Sequence, residues 1–152
     1  MKFEYTDVFI TGANGWLGRQ VVESLIKNDS DVLIMEIPKN IKINCLINLG
    51  ESREFFEKFG DKIKIVEGDL RNEKTIFDFI YKSNKSLLIH TAGVIHPKKI
   101  QDFYDINYYA TSRLIDCAID NIITKIIVIS SNSPVGCNPN NLHLFNEKSP
   151  YN

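Results

Sequence analysis

The chain is predicted to fold as an α/β domain with a doubly wound, mostly parallel sheet, on three observations. Apolar runs of strand length alternate with segments of helical period, the pattern of repeated β-α-β units. A glycine-rich run, Thr11 to Gly18, joins the first strand to the first helix. Leu87-Leu88-Ile89 is a continuous apolar run, as expected where helices cover both faces of a sheet.

Taken in order, Val8-Phe9-Ile10 is the first strand, and Leu17, Val21 and Leu25 give the following helix one apolar face. Two runs compete for the second strand. Val32-Leu33-Ile34-Met35 ends at Glu36, while Ile41 to Ile47 ends near Asn48. The four or so residues between them allow a hairpin but not two neighbouring parallel strands. Ser52 as N-cap and Gly60 at the far end bracket a short helix containing Phe55, Phe56 and Phe59. Ile63 to Val66 is the third strand. Asn72 caps a helix with a stripe of Ile76, Phe77, Phe79 and Ile80. After the Leu87–Ile89 strand, Phe103, Ile106, Ala110, Leu114 and Cys117 mark a long helix, and Ile126 to Ile129 forms a buried fifth strand. Beyond Ser133 the composition turns to Pro, Asn, Gly and His, which is loop chemistry. The strand order expected of this pattern is 3-2-1-4-5.

With 152 residues, 43% hydrophobic and 24% charged, the chain has the size and mix of one globular domain with a genuine core. A net charge of −1 gives no general attraction to nucleic acid or anionic lipid. No apolar run approaches the roughly 18 residues of a membrane span, and the N-terminus has no signal-peptide pattern. Cys45, Cys117 and Cys137 are odd in number and lack a C-x-x-C pair, which argues against a disulfide framework and a zinc site. The chain is therefore expected to be cytoplasmic and reduced, with Cys117 a small core residue and no metal bound.

The strongest local signal is Thr11-Gly12-Ala13-Asn14-Gly15-Trp16-Leu17-Gly18. Gly12 permits a tight turn off the strand, Gly15 lets backbone approach a pyrophosphate, and Gly18 lets the helix pack closely. Free N–H groups around Trp16 and Leu17 open the helix toward an anion, aided by the helix dipole. A glycine-rich turn without ligand has the same composition, but a preceding strand and a following amphipathic helix are the context a dinucleotide requires.

The G-x-x-G-x-x-G spacing resembles the extended short-chain dehydrogenase/reductase superfamily, and more narrowly the NAD-dependent epimerase/dehydratase family. Four further segments match in order. Gly68-Asp69-Leu70 follows the third strand, where the family sets an Asp against adenine. His90-Thr91-Ala92-Gly93 resembles the segment passing beneath the cofactor. Asn107-Tyr108-Tyr109-Ala110-Thr111 resembles N-x-x-(G/A)-T, and Ser130 to Gly136 resembles the stretch carrying the catalytic serine, matched by Ser131. Each has a plainer reading: Asp69 as helix lead-in, Asn107 as a solvent-facing residue, Ser131 as a turn serine. His90 reads as structural, His96 as pocket or loop, and Lys98-Lys99 as solvated surface.

What the resemblance implies is a Rossmann fold holding NAD, with Gly12, Asn14, Gly15, Trp16, Leu17, Gly18, Asp69, Leu70, Thr91, Ala92, Gly93 and Asn107 as cofactor-binding residues. Glu36, 18 residues after Gly18, fits the acidic position that accepts the ribose hydroxyls and selects NAD over NADP. If the second strand is Ile41 to Ile47, the corresponding position is the neutral Asn48. No arginine stands at either strand end to meet a 2′-phosphate. The family's chemistry is hydride transfer at a hydroxyl or keto group, most commonly of a nucleotide sugar. A Tyr whose pKa is lowered by a Lys four residues on moves the proton.

Tyr81, Tyr104, Tyr108 and Tyr109 all precede Ser131, and Tyr151 follows it too closely. Residues 1–152 are thus expected to be one incomplete NAD(P)-binding domain, lacking the C-terminal substrate-binding portion and inactive alone. A second reading is a non-catalytic dinucleotide-binding sensor or subunit. By family analogy the chain forms a homodimer through helices such as Phe103–Cys117.

Overall fold

The computed structural model describes residues 3–27 and 36–131. Among them, five parallel strands form one sheet in the order β3-β2-β1-β4-β5, as the sequence predicts. The elements are β1 (Asp7–Thr11), α1 (Trp16–Lys27), β2 (Lys42–Ile47), α2 (Glu54–Glu57), β3 (Ile63–Glu67), α3 (Glu73–Phe79) and β4 (Ser86–His90). A wide helical segment (Phe103–Ala110), α4 (Thr111–Asp120) and β5 (Lys125–Val128) follow.

Side-chain alternation on the central strands builds two cores. Val8, Ile10, Ile43, Cys45, Ile47, Leu87 and Ile89 point to one face, where Val22, Leu25 and Phe56 meet them. Phe9, Leu46 and Leu88 point to the other, against Ile76, Phe79, Leu114 and Ala118. Phe9 anchors that second core edge-on to Phe79, with ring centroids 5.6 Å apart.

The second strand is the later candidate: Lys42 to Ile47 pairs with β1 on one side and β3 on the other. Val32–Met35 lies outside the described residues. Asn72 caps α3 as expected, its side chain accepting from the Lys74 amide at 3.0 Å. The short helix is shorter than expected: it runs only from Glu54 to Glu57, with Arg53 and not Ser52 at the N-cap and Lys58 at the C-cap. Phe59 and Gly60 (φ +53°) fall beyond it, although Ser52 Oγ still accepts from the Glu54 amide at 3.2 Å.

Four further expectations need correction. The buried face of α1 runs through Gly18, Val22 and Leu25, with Val21 only partly covered. Phe77 leaves the α3 stripe for solvent, since positions 76, 79 and 80 already fill the face turned to the sheet. The expected long helix is not uniformly α: Phe103–Ala110 winds with the wider i→i+5 turn before the regular α4. Finally, β5 is not buried. It has a strand neighbour on one side only among the described residues, and Ile127, Val128 and Ile129 stay at least 40% exposed.

Candidate functional site

From β1 the chain crosses to β2 on one side, while β4 lies on the other, so the turns leaving β1 and β4 diverge and open a cleft. The cleft encloses about 430 Å³ at the carboxyl ends of the strands. Its walls are Gly12 and Gly15 after β1, Asn48, Leu49 and Glu51 after β2, Asp69, Leu70 and Arg71 after β3, and Thr91 to Val94 after β4.

The glycines have different reasons. Gly12 turns at φ +65°, and a Cβ there would lie 2.6 Å from the Ala92 nitrogen. Gly18 lets α1 close onto the loop, where a Cβ would lie 2.2 Å from the Gly12 oxygen. Gly15 has no comparable demand. Its φ is ordinary and a Cβ would meet only the Gly12 oxygen, at 3.2 Å. What the missing side chain leaves clear is the cleft wall just before α1, whose first amides have no intrahelical acceptors, although Trp16 and Leu17 do not themselves line the cleft.

The floor is held by a buried histidine. His90, 2% exposed, lies with Nδ1 2.6 Å from Thr11 Oγ1 and Nε2 2.9 Å from Thr111 Oγ1. Thr111 donates its hydroxyl proton to the Ile106 carbonyl, so Nε2–H must donate to Thr111. Thr11 in turn donates to Nδ1 while accepting from the Ala92 amide. Both ring nitrogens are used by the neutral form, and burial pushes the imidazole down to about 4. His90 is structural, as its position at a strand end suggests, and it ties the glycine turn to α4.

Asn107 is exposed, as its position off the apolar stripe suggests, and does not line the cleft. Its amide pairs with both backbone groups of Val94, accepting from N–H and donating to C=O at 2.8 Å each, and so fixes the loop after β4. Asn14 likewise acts on the protein: Nδ2 donates to the Ser52 carbonyl, and Oδ1 accepts from Arg19. Asp69 lines the cleft but is gripped by Arg71, whose Nε lies 3.0 Å from each carboxylate oxygen. That hydrogen-bonded guanidinium holds the Asp69 carboxyl below the usual carboxylate range.

The structure does not bring Glu36 to this site. It precedes β2, and its neighbour Ile37 lines a hollow with Lys39, Ile41 and Lys62, residues that lead into β2 and β3 at the amino end of the sheet. Ser131 follows β5, beyond the Ile129 amide that donates to the His90 carbonyl, and does not line the cleft. Tyr81 has Lys85 four residues on, the spacing of the catalytic pair, but its hydroxyl sits 3.0 Å from Asp7 Oδ1 at the amino end. Cys45 is buried with its thiol pushed up to about 12, and Cys117 is a core residue as expected. Cys137 and Tyr151 lie outside the described residues.

Sequence reasoning missed Glu51 and Arg71 in the cleft wall. A signal for the first was present. Asn48-Leu49-Gly50-Glu51 is a turn closed by Glu51 N–H to the Asn48 carbonyl at 3.2 Å, with Gly50 at φ +77°. That turn folds the Glu51 carboxylate back over the end of β2.

Comparisons with known proteins agree with this geometry. The model of the 3-beta hydroxysteroid dehydrogenase/isomerase family matches residues 9–152. The chain is 37% identical over 144 residues to the uncharacterized protein y4nL of Sinorhizobium fredii, covering 95% of this chain and 40% of that one. It is 28% identical to a putative UDP-glucose 4-epimerase of Methanocaldococcus jannaschii, covering 95% and 46%. Among solved structures, the UDP-Glc/GlcNAc 4-epimerase of Campylobacter jejuni superposes with a TM-score of 0.75 at 21% identity, over 97% of this chain and 43% of that one. The Bordetella bronchiseptica enzyme WbmH, solved in complex with NAD+, gives 0.75 at 19% identity, over 97% and 46%. These last two show the shared fold. The chain spans less than half the length of the two curated relatives named here.

Proposed function

The chain belongs to the 3-beta hydroxysteroid dehydrogenase/isomerase family, within the extended short-chain dehydrogenases/reductases that its motifs resemble, and from that premise we propose that these residues hold the cofactor of an oxidoreductase or epimerase. The cofactor is a nicotinamide dinucleotide, NAD in preference to NADP. The reaction is at a carbon bearing a hydroxyl or keto group, and relatives named for UDP-glucose 4-epimerase favour a nucleotide sugar as substrate.

One observation supports this above the others. Gly15 has no backbone conformation that requires a glycine and a far weaker packing demand than Gly12 or Gly18, one contact at 3.2 Å, and the space it leaves is the cleft wall at the start of α1. A pyrophosphate fits that combination of open backbone and positive helix end. When bound, the dinucleotide supplies hydride transfer. The chain's own part is to receive the phosphates at Gly15 to Leu17, to present Asp69 and Leu70 on one wall, and to run Thr91 to Gly93 beneath. His90 and Asn107 keep that floor in place. Proton transfer is assigned to groups outside these 152 residues, since Tyr81 and Lys85 sit at the wrong end of the sheet.

Thermal melts of the purified chain with and without NAD test the reading. NAD at a hundred times its dissociation constant stabilises the native state by about 2.7 kcal/mol, which raises the Tm by roughly 5 to 10 °C. Gly15→Leu should fold and lose that shift. A cooperatively folding sample with no shift would overturn the cofactor assignment. NADH formation from NAD and UDP-glucose by this chain alone would overturn the placement of proton transfer elsewhere.

A further inference from the structure

We propose that Glu51 is the carboxylate that receives the adenosine ribose hydroxyls, and that it, not Glu36, makes the cleft select NAD over NADP. The inference rests on the cofactor reading above and adds a residue to it.

An acidic side chain at the end of the second strand accepts the ribose 2′-hydroxyl in dinucleotide-binding folds and repels a 2′-phosphate. Here the strand ends at Ile47, and the next residue, Asn48, is neutral. The turn of residues 48–51 supplies what that position lacks. Gly50, at φ +77°, reverses the chain so that Glu51 comes back over the strand end. Its Oε2 accepts the Asn48 amide at 3.1 Å, and Oε1 lies 3.5 Å from Asn48 Nδ2. The carboxylate is therefore oriented by backbone, within the cleft wall, and its remaining lone pairs face solvent. The loop itself is anchored to the glycine turn through Asn14 Nδ2 and the Ser52 carbonyl.

Of the neighbouring cations, two are paired with other carboxylates: Arg53 with Glu67 at 2.5 Å, and Arg71 with Asp69. Arg19 keeps its charge but is turned onto the neutral amide of Asn14 and the Phe55 ring, 5.0 Å from its centroid. Glu51 has no guanidinium partner among the described residues, so its carboxylate stays open to the cleft, where it suits a diol and disfavours a phosphate.

The test is the affinity of the full chain for NAD and NADP by titration calorimetry, in wild type, Glu51→Gln and Glu36→Gln, with melts confirming that each variant folds. Wild type should prefer NAD. Glu51→Gln should weaken NAD about tenfold, the loss expected for a charged hydrogen bond to a hydroxyl, and narrow the preference over NADP. Glu36→Gln should match wild type. If wild type binds NAD and Glu51→Gln binds it equally well, the role of Glu51 is wrong while the cofactor site stands. If Glu36→Gln carries the loss, the ribose site lies with Glu36. If wild type binds neither nucleotide, the cofactor reading fails and this inference with it.

Discussion

The two ends of the sheet carry buried polar groups to opposite effect. At the amino end, Asp7 accepts hydrogen bonds from Tyr81 at 3.0 Å, Ser83 at 2.7 Å and Thr6 at 3.1 Å, and Tyr81 also meets Asn44. These groups satisfy one another, with Asp7 and Asn44 buried beneath the partly open Tyr81 ring. At the carboxyl end, Thr11, His90, Thr91 and Thr111 are just as well partnered, but they support a wall of glycine and open backbone. One end closes the sheet and the other presents it. A polar cluster is thus not itself a sign of function; the sign is what its hydrogen bonds hold open.

The sharpest way to separate support from presentation is the glycine loop. Gly18→Ala forces a Cβ to 2.2 Å from a backbone oxygen, and neither atom belongs to a flexible side chain. We expect a loss on the order of 4 kcal/mol in urea melts without ligand. Gly15→Ala meets one oxygen at 3.2 Å and should cost about 1 kcal/mol or less. Equal losses at the two positions would mean that Gly15 is also a packing glycine, and the main support for the cofactor site would go.

His90 gives the next largest effect, through pH. Its ordinary value is 6.5 and its folded value is lowered to about 4 by burial. The unfolded chain therefore takes up a proton that the folded chain refuses. Stability is complete above about 6.5, declines as pH falls toward 4, and by then is lower by about 3 kcal/mol. Carboxylates such as Asp69, also lowered, add their own loss at still lower pH. The measurement is the difference between wild type and His90→Gln across pH 4 to 7. That difference should shrink as pH falls. A constant gap would show that His90 does not titrate in this window.

Much of this was legible in the sequence, and the misses share a cause. β1, β3, β4 and the Asn72 cap follow from local composition and period, because their side chains face the same environment along the whole element. The second strand did not, since Val32–Met35 and Ile41–Ile47 are both apolar enough for a strand; it is Lys42 to Ile47 that pairs with β1 and β3. Glu36 was chosen by counting from Gly18, a rule that presumes β2 begins soon after α1. Fourteen residues, 28–41, lie between the two elements, so the count stopped before the strand began. The wide turn at Phe103–Ala110 is equally hidden, because the four-residue steps from Ile106 to Ala110 to Leu114 suit either helix. Asn107 lies off the apolar stripe, and only the fold brings Val94 within reach of its amide.

The smallest effect tests the amino end. Tyr81→Phe removes one hydroxyl from a network in which Asp7 is 8% exposed and Asn44 is 3% exposed. Asp7 keeps Ser83 and Thr6, so its charge is not orphaned, and the ring keeps its edge-on contact with Phe9 at 4.8 Å. The expected loss is about 1 to 2 kcal/mol, that of a buried hydrogen bond to a carboxylate with other donors still present. NAD affinity should not change, because β1 sets this network roughly 13 Å from the glycine turn. If Tyr81→Phe weakens NAD while stability holds, the amino end communicates with the cleft through β1, and the division between a closing end and a presenting end does not hold.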